Sequence, residues 1–120
     1  MADTALVATS DPLLLDAAIR WCAAAGARPV TVESADAARR EWRQAGAVLV
    51  GADVVAQLVD AATPPTRRDH VLVVAADPDR VWREAVALGA AGVVAPGDDD
   101  AALAALVASL DGRVEGCTVS

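Results

Sequence analysis

Short, largely apolar runs alternate with amphipathic segments along this chain. The runs cover residues 4–9, 29–32, 47–50, 70–75 and 92–95, and each has the length of a buried strand. The central run, Ala47 to Val50, lies between Gly46 and Gly51 and contains no polar residue. An unbroken apolar run of this kind is typical of a parallel strand that is buried on both faces.

The segments between these runs carry the start and stop signals of helices. Asp11-Pro12 and Asp77-Pro78 each combine a capping aspartate with a proline at the first helical position, and Ser34 is the predicted cap of the second helix. A third helix is predicted from about Asp53 to Ala62, followed by a loop over residues 63–69. Three helices are predicted to end at Gly26, Gly46 and Gly89.

The apolar spacing within each helix predicts its inward face. The predicted inward residues are Leu15, Ile19 and Cys22; Ala35, Ala38, Trp42 and Ala45; Val81, Ala85 and Leu88; and Leu103, Leu106, Val107 and Leu110. Five strands alternating with helices predict an α/β, flavodoxin-like (βα)5 fold. We expect a doubly wound parallel sheet with strand order 2-1-3-4-5.

Composition and charge exclude several classes of function. The 120 residues are enough for one domain with its own core. A net charge of -7, with arginine as the only strong base, argues against a nucleic-acid surface. The sequence contains no run of about 18 apolar residues, which a membrane span would need. Its N-terminus has no signal-peptide pattern, so we expect a cytoplasmic protein. Cys22 and Cys117 have no metal-binding spacing.

Four stretches of the sequence resemble the receiver domain of response regulators, over about residues 4–110. They are Leu6-Val-Ala-Thr-Ser-Asp-Pro12, Val48-Leu-Val-Gly51, Val71-Leu-Val-Val-Ala75 and Leu88-Gly-Ala-Ala-Gly-Val-Val-Ala-Pro96. Receivers accept a phosphoryl group on an aspartate at the end of the third strand. That aspartate and an acidic pair after the first strand hold Mg²⁺, and a hydroxyl residue and a lysine follow the fourth and fifth strands.

The resemblance implies a receiver site that has lost its functional groups. The acidic pair falls on Thr9 and Ser10, the phosphoacceptor on Gly51, the hydroxyl on Ala75 and the lysine on Ala95. Mg²⁺ is usually bound through carboxylates, and phosphoryl transfer depends on the metal to neutralise charge. We therefore expect a pseudo-receiver that is not an enzyme and has no cofactor.

Three aspartates leave an alternative open. Asp11, Asp53 and Asp77 each stand where a helix is predicted to begin, so helix capping accounts for them without a metal. If their side chains instead point together, they form a residual cation site at the same edge of the sheet. The alternative function is accordingly a sensor of a cation or a small molecule.

The alanine-rich composition and the empty receiver site are also features of a narrower group of pseudo-receiver domains. They resemble the N-terminal pseudo-receiver of the CpaE/TadZ-type MinD/ParA-like ATPases, and among these the actinobacterial septum site-determining protein. The resemblance implies a pseudo-receiver over residues 1–111 and a linker over residues 112–120 toward an ATPase domain beyond Ser120. It also implies a regulatory role in septum-site determination or in Flp pilus assembly.

The fourth helix offers a surface for a protein partner. Trp82 and Val86, at positions i and i+4, form a second apolar stripe about 100° from the inward one. Trp is favoured at interface hot spots, and many receivers pair through this region. We therefore predict a homodimer whose interface includes Arg80, Trp82, Arg83 and Val86, unless Trp82 covers the core or Trp21 or Trp42 is the exposed tryptophan.

Overall fold

A five-stranded parallel sheet forms the centre of the molecule. The computed structural model describes residues 4–42, 45–60 and 70–108. The strands are β1 (Thr4–Ala8), β2 (Arg28–Val32), β3 (Ala47–Gly51), β4 (Val71–Val74) and β5 (Gly92–Val94). Their order is β2-β1-β3-β4-β5 and every pair is parallel. The predicted fold class and strand order are confirmed, whereas the predicted loop over residues 63–69, Leu110 and the tail 112–120 lie outside the described residues.

Within residues 4–42, 45–60 and 70–108, five α-helices connect and flank these strands. They are α1 (Pro12–Ala25), α2 (Ala35–Glu41), α3 (Ala52–Asp60), α4 (Trp82–Leu88) and α5, which covers residues 99–108. A short 3-10 helix, Pro78–Val81, precedes α4. In the described part of the chain, none of these helices has both the length and the apolar character needed to cross a membrane.

Two separate apolar layers cover the two faces of the sheet. Successive strand side chains point to opposite faces, so Leu6, Val48 and Val50 lie in one layer while Val7, Leu49 and Val74 lie in the other. The first layer is completed by α2, α3 and α4, and the second by α1 and α5. All five residues of β3 are buried, which confirms that the central run is the middle strand.

The structure has both predicted ends of α1 and the predicted start of α2, but not the predicted end of α2. The carboxylate of Asp11 accepts the amide of Leu13 at 2.9 Å, and Gly26 ends α1 with φ 76°, as the sequence predicts. Ser34 caps α2 through its hydroxyl. This helix ends at Glu41 rather than directly before Gly46, with Trp42 as its C-cap.

The predicted inward face of α1 is only partly right, because Cys22 is buried as predicted but Ile19 is not. Ile19 is 38% exposed and Leu15 only partly buried, whereas Leu14, Ala17, Ala18 and Trp21 are buried. Three consecutive leucines allow two helix faces with similar spacing. The indole of Trp21 decides between them, because it packs against α5 and donates to Asp99 Oδ1 at 2.9 Å.

One edge of the sheet is formed by β2. The amide of Thr9 donates to the carbonyl of Val32 at 3.1 Å, so the backbone groups of Val32 face β1. Since backbone groups alternate in direction along a strand, those of Val30 also face β1, and those of Pro29 and Thr31 face the free edge. Proline has no amide N–H, and an outer position of this kind is where a sheet tolerates it.

Candidate functional site

The positions of the degenerate receiver site meet at the carboxyl edge of the sheet. Thr9 and Ser10 follow β1, and Gly51 is the last residue of β3. Ala75 follows β4, and its amide donates to the carbonyl of Val94 at 2.9 Å. This bond places Ala95 beside Ala75. In parallel sheets this edge is where ligands bind.

Gly51 has no room for a side chain. A Cβ built on its backbone would lie 2.6 Å from Cβ of Thr9 and 2.6 Å from Oδ1 of Asp53, with the Thr9 hydroxyl oxygen closer still. Real Cβ atoms essentially never approach other atoms this closely. The space in which a phosphoacceptor side chain would begin is filled by Thr9 and Asp53.

The carboxylate of Asp53 binds the loop between β1 and α1. Its Oδ1 accepts the Thr9 hydroxyl at 2.6 Å. Its Oδ2 accepts the Ser10 amide at 2.7 Å and the Ser10 hydroxyl at 2.8 Å. Asp53 is therefore not the predicted helix cap, because α3 begins at Ala52 and both carboxylate oxygens accept hydrogen bonds from the loop after β1.

Thr9 lies at the centre of this group. Its side chain is buried, with 2% exposure. Besides donating to Asp53, its hydroxyl oxygen accepts the amide of Asp11 at 3.1 Å. We name Thr9, Ser10 and Asp53 the clasp. Sequence reasoning missed these contacts, although a Thr-Ser pair after β1 and an aspartate two residues after β3 are its visible signs.

Opposing effects act on the pKa of Asp53. Burial raises the pKa of this carboxyl, while hydrogen bonds from the Thr9 hydroxyl, from the Ser10 amide and hydroxyl and from its own backbone amide lower it. The hydrogen bonds together outweigh burial, and the pKa lies below its ordinary value. Asp53 is consequently a stable anion at neutral pH.

The three predicted aspartates have separate partners. Asp11 caps α1, Asp53 belongs to the clasp, and the carboxylate of Asp77 lies 3.6 Å from Arg80. Asp77 makes no capping hydrogen bond with its side chain, which corrects the predicted cap. Among residues 4–42, 45–60 and 70–108, no three His, Cys, Asp or Glu side chains are grouped so that they could hold a metal ion.

Trp82 is the exposed tryptophan of the chain. It is 59% exposed and Val86 58%, while Trp21 and Trp42 are 3% and 2% exposed. Arg80 and Arg83 are exposed on either side of Trp82 in the sequence. The inward stripe of α4 contains Ala85 and Leu88, both buried, and Val81 before the helix is buried as well. The four predicted interface residues thus lie at the surface.

Comparison with known proteins agrees with this architecture. No curated protein sequence matches the chain. A solved structure, a sensor protein from Polaromonas sp. JS666, superposes with a TM-score of 0.67 at 19% sequence identity, covering 91% of this chain and 96% of that one. The family model described as "Rv3660c-like, CheY-like N-terminal domain" matches residues 8–116. The chain therefore belongs to the family of Rv3660c-like, CheY-like N-terminal domains.

Proposed function

We propose that this domain is a non-phosphorylatable receiver that regulates by binding protein rather than by accepting a phosphoryl group, and that it is not an enzyme. The observation that carries the proposal is the filled space at Gly51. The phosphoacceptor position has neither a carboxylate nor room for one. The nearby Asp53 already uses both carboxylate oxygens in hydrogen bonds.

Incubation with acetyl phosphate and Mg²⁺ tests this part of the proposal. We expect the intact mass of the wild-type protein to stay unchanged, because the phosphoacceptor position is a glycine and hydrogen bonds hold both carboxylate oxygens of Asp53. A mass increase of one phosphoryl group that disappears in Asp53→Asn would contradict it. A conventional receiver treated in parallel shows that the phosphodonor is active.

We further propose that the domain forms a homodimer through the surface that contains Arg80, Trp82, Arg83 and Val86. The support is physical, since two large apolar side chains stand at i and i+4 on one exposed face of α4. Truncating a tryptophan at an interface hot spot can cost about 2 kcal/mol or more of binding free energy. Exposed arginines beside it would limit pairing to partners with acidic groups, and the chain carries 17 acidic residues.

Sedimentation across a concentration series tests the dimer. We expect the wild type to associate and Trp82→Ala to remain monomeric at concentrations where the wild type pairs. Leu13→Ala is the matched control, because Leu13 is 61% exposed on α1 and lies outside the proposed interface. The surface is wrong if Trp82→Ala associates as the wild type does, or if the wild type stays monomeric throughout.

The proposed context is a MinD/ParA-like ATPase that this domain localises or pairs, in septum-site determination or in Flp pilus assembly. The support is the sequence resemblance together with the description of the family as an N-terminal domain. A fluorescent fusion of the full-length protein tests it: we expect foci at the septum or at a pole that are lost in Trp82→Ala and retained in Leu13→Ala. Uniform fluorescence of the wild type would contradict the proposal.

The alternative, a sensor of a cation or a small molecule, has less support. Asp11, Asp53 and Asp77 are each engaged by a different partner within this domain. A cation at this edge would have to compete with those partners for each carboxylate. Titration with Mg²⁺ while the melting temperature is followed separates the two functions, since a ligand at 100 times its Kd adds about 2.7 kcal/mol of stability.

A further inference from the structure

One carboxylate joins a loop and a helix start that are far apart in sequence. Asp53 receives hydrogen bonds from Thr9 and Ser10, which precede it by 44 and 43 residues. The donors are two hydroxyl groups and one backbone amide, at 2.6 to 2.8 Å. These contacts tie the loop between β1 and α1 to the first turn of α3.

The chemistry of these contacts makes the connection strong. Hydrogen bonds to an ionised carboxylate are shorter and roughly twice as strong as bonds between neutral groups. A carboxylate offers about four acceptor positions, and the loop uses three of them at Asp53. A cation that took this carboxylate would leave the buried Thr9 hydroxyl without its acceptor, which is costly.

We propose that the clasp is a built-in lock that holds this edge of the domain in one conformation without a cation or a phosphoryl group. Asp53 supplies a carboxylate that is ionised at neutral pH, and Thr9 and Ser10 supply the hydrogen-bond donors that stabilise its charge. The edge is therefore fixed by the sequence itself and does not switch. This inference is independent of the proposed homodimer, because the clasp lies at the end of the sheet and none of its residues belongs to α4.

The clasp also reaches the first turn of α1. The Thr9 hydroxyl that donates to Asp53 accepts the amide of Asp11 at 3.1 Å. Asp11 in turn accepts the amide of Leu13 with its carboxylate and the amide of Leu15 with its carbonyl. Loosening the clasp should therefore free the amides of Ser10 and Asp11 before it affects the cap at Leu13.

Amide hydrogen exchange measured by NMR tests the lock. In the wild type, the Ser10 amide should exchange about tenfold or more slowly than its intrinsic rate, although Ser10 is exposed, because a hydrogen bond to a charged group is worth at least one factor of ten. Asp53→Ala should remove this protection. Asp60→Ala is the matched control, since Asp60 is an exposed aspartate at the end of the same helix.

Two further measurements make the test decisive. Thr9→Val should accelerate exchange at Asp11 while Leu13 keeps the wild-type rate. Addition of Mg²⁺ to the wild type should change neither the exchange rate nor the chemical shift of the Ser10 amide. The lock is refuted if the wild-type Ser10 amide exchanges at its intrinsic rate, a result that needs no variant to fold. Equal protection in the wild type and in Asp53→Ala, or increased protection with Mg²⁺, refutes it as well.

Discussion

The hydroxyl of Thr9 donates to Oδ1 of Asp53 at 2.6 Å, inside a site where Thr9 is only 2% exposed. The same oxygen accepts the amide of Asp11. Because water does not reach this hydroxyl, a partner removed here is not replaced by solvent. One short side chain thus connects the end of β1 to the starts of α1 and α3.

Replacing Thr9 by valine should destabilise the fold. Valine keeps the shape but removes the hydroxyl, so Asp53 loses one donor and the Asp11 amide loses its acceptor. We expect the free energy of unfolding to fall by about 1–3 kcal/mol, measured as a lower midpoint in urea at constant m-value. Thr31→Val, at an exposed position of β2, is the control and should change stability by less. Equal midpoints for Thr9→Val and the wild type would contradict the role of this hydroxyl.

A methyl group at Gly51 should be harmful for a different reason. The Cβ of Gly51→Ala would overlap with Thr9 and Asp53, and relief requires the clasp to move. Overpacking of this kind costs about 1–3 kcal/mol, which thermal unfolding would detect. Gly92→Ala in β5 is the matched control, because the nearest side-chain atom to its Cβ, on Leu72, would lie at 4.0 Å. If the two variants melt alike, Gly51 has more space than its neighbours suggest.

The contribution of Asp53 to stability should disappear in acid. Its pKa is lower in the folded protein than in the unfolded chain, where it is about 3.9. The unfolded state therefore takes up the proton first as the pH falls, so this contribution is complete above about pH 4 and is lost as the pH falls through the folded pKa. We expect the wild type to be more stable than Asp53→Asn at pH 7, with a gap that narrows below about pH 4.

Urea unfolding at a series of pH values measures this gap. Asp60→Asn is the control for loss of one negative charge on the same helix, and at pH 7 it should differ little from the wild type. A gap between the wild type and Asp53→Asn that stays constant from neutral to acid pH would show that the hydrogen bonds do not depend on the charge of Asp53.

Cys22 should be unreactive in the folded protein. It is fully buried between α1 and the sheet, and burial raises the pKa of its thiol to about 11. At pH 8 only about one thiol in a thousand is ionised. In a Cys117→Ser variant we expect labelling by a disulfide reagent to be slow in buffer and immediate in denaturant. Rapid labelling of the native variant would show that this layer of the core opens readily.

Much of the fold follows from local patterns in the sequence. Glycine-bounded apolar runs and helix caps such as Asp11 and Ser34 are signals formed by residues close together in the sequence. The fold class, with its strand order and its central β3, was predicted from these signals. The prediction for α1 was right at Cys22 and wrong at Ile19, because Leu13, Leu14 and Leu15 satisfy more than one spacing. The contact of Trp21 with Asp99, 78 residues away, favours the observed face.

The receiver resemblance assigned Thr9, Ser10 and Gly51 to one site, and these residues do lie together at the carboxyl edge of the sheet. Their contacts with Asp53, which was predicted to be a helix cap, were not predicted. Whether such a site is empty or filled depends on side chains from the loop after β1 and from the start of α3, which are distant in sequence. The 2.6 Å contact between Thr9 and Asp53 is a property of the folded chain, and no spacing of residues along the sequence encodes it directly.

The proline in β2 limits how these domains can meet one another. Along the free edge of Arg28–Val32, Pro29 offers no N–H and Thr31 is the one strand residue that can donate to a further strand. Sheets of neighbouring molecules would therefore join poorly at this edge. Growth of a continuous fibre by sheet addition at this edge is therefore disfavoured, and contacts between copies of this domain would use its helices instead.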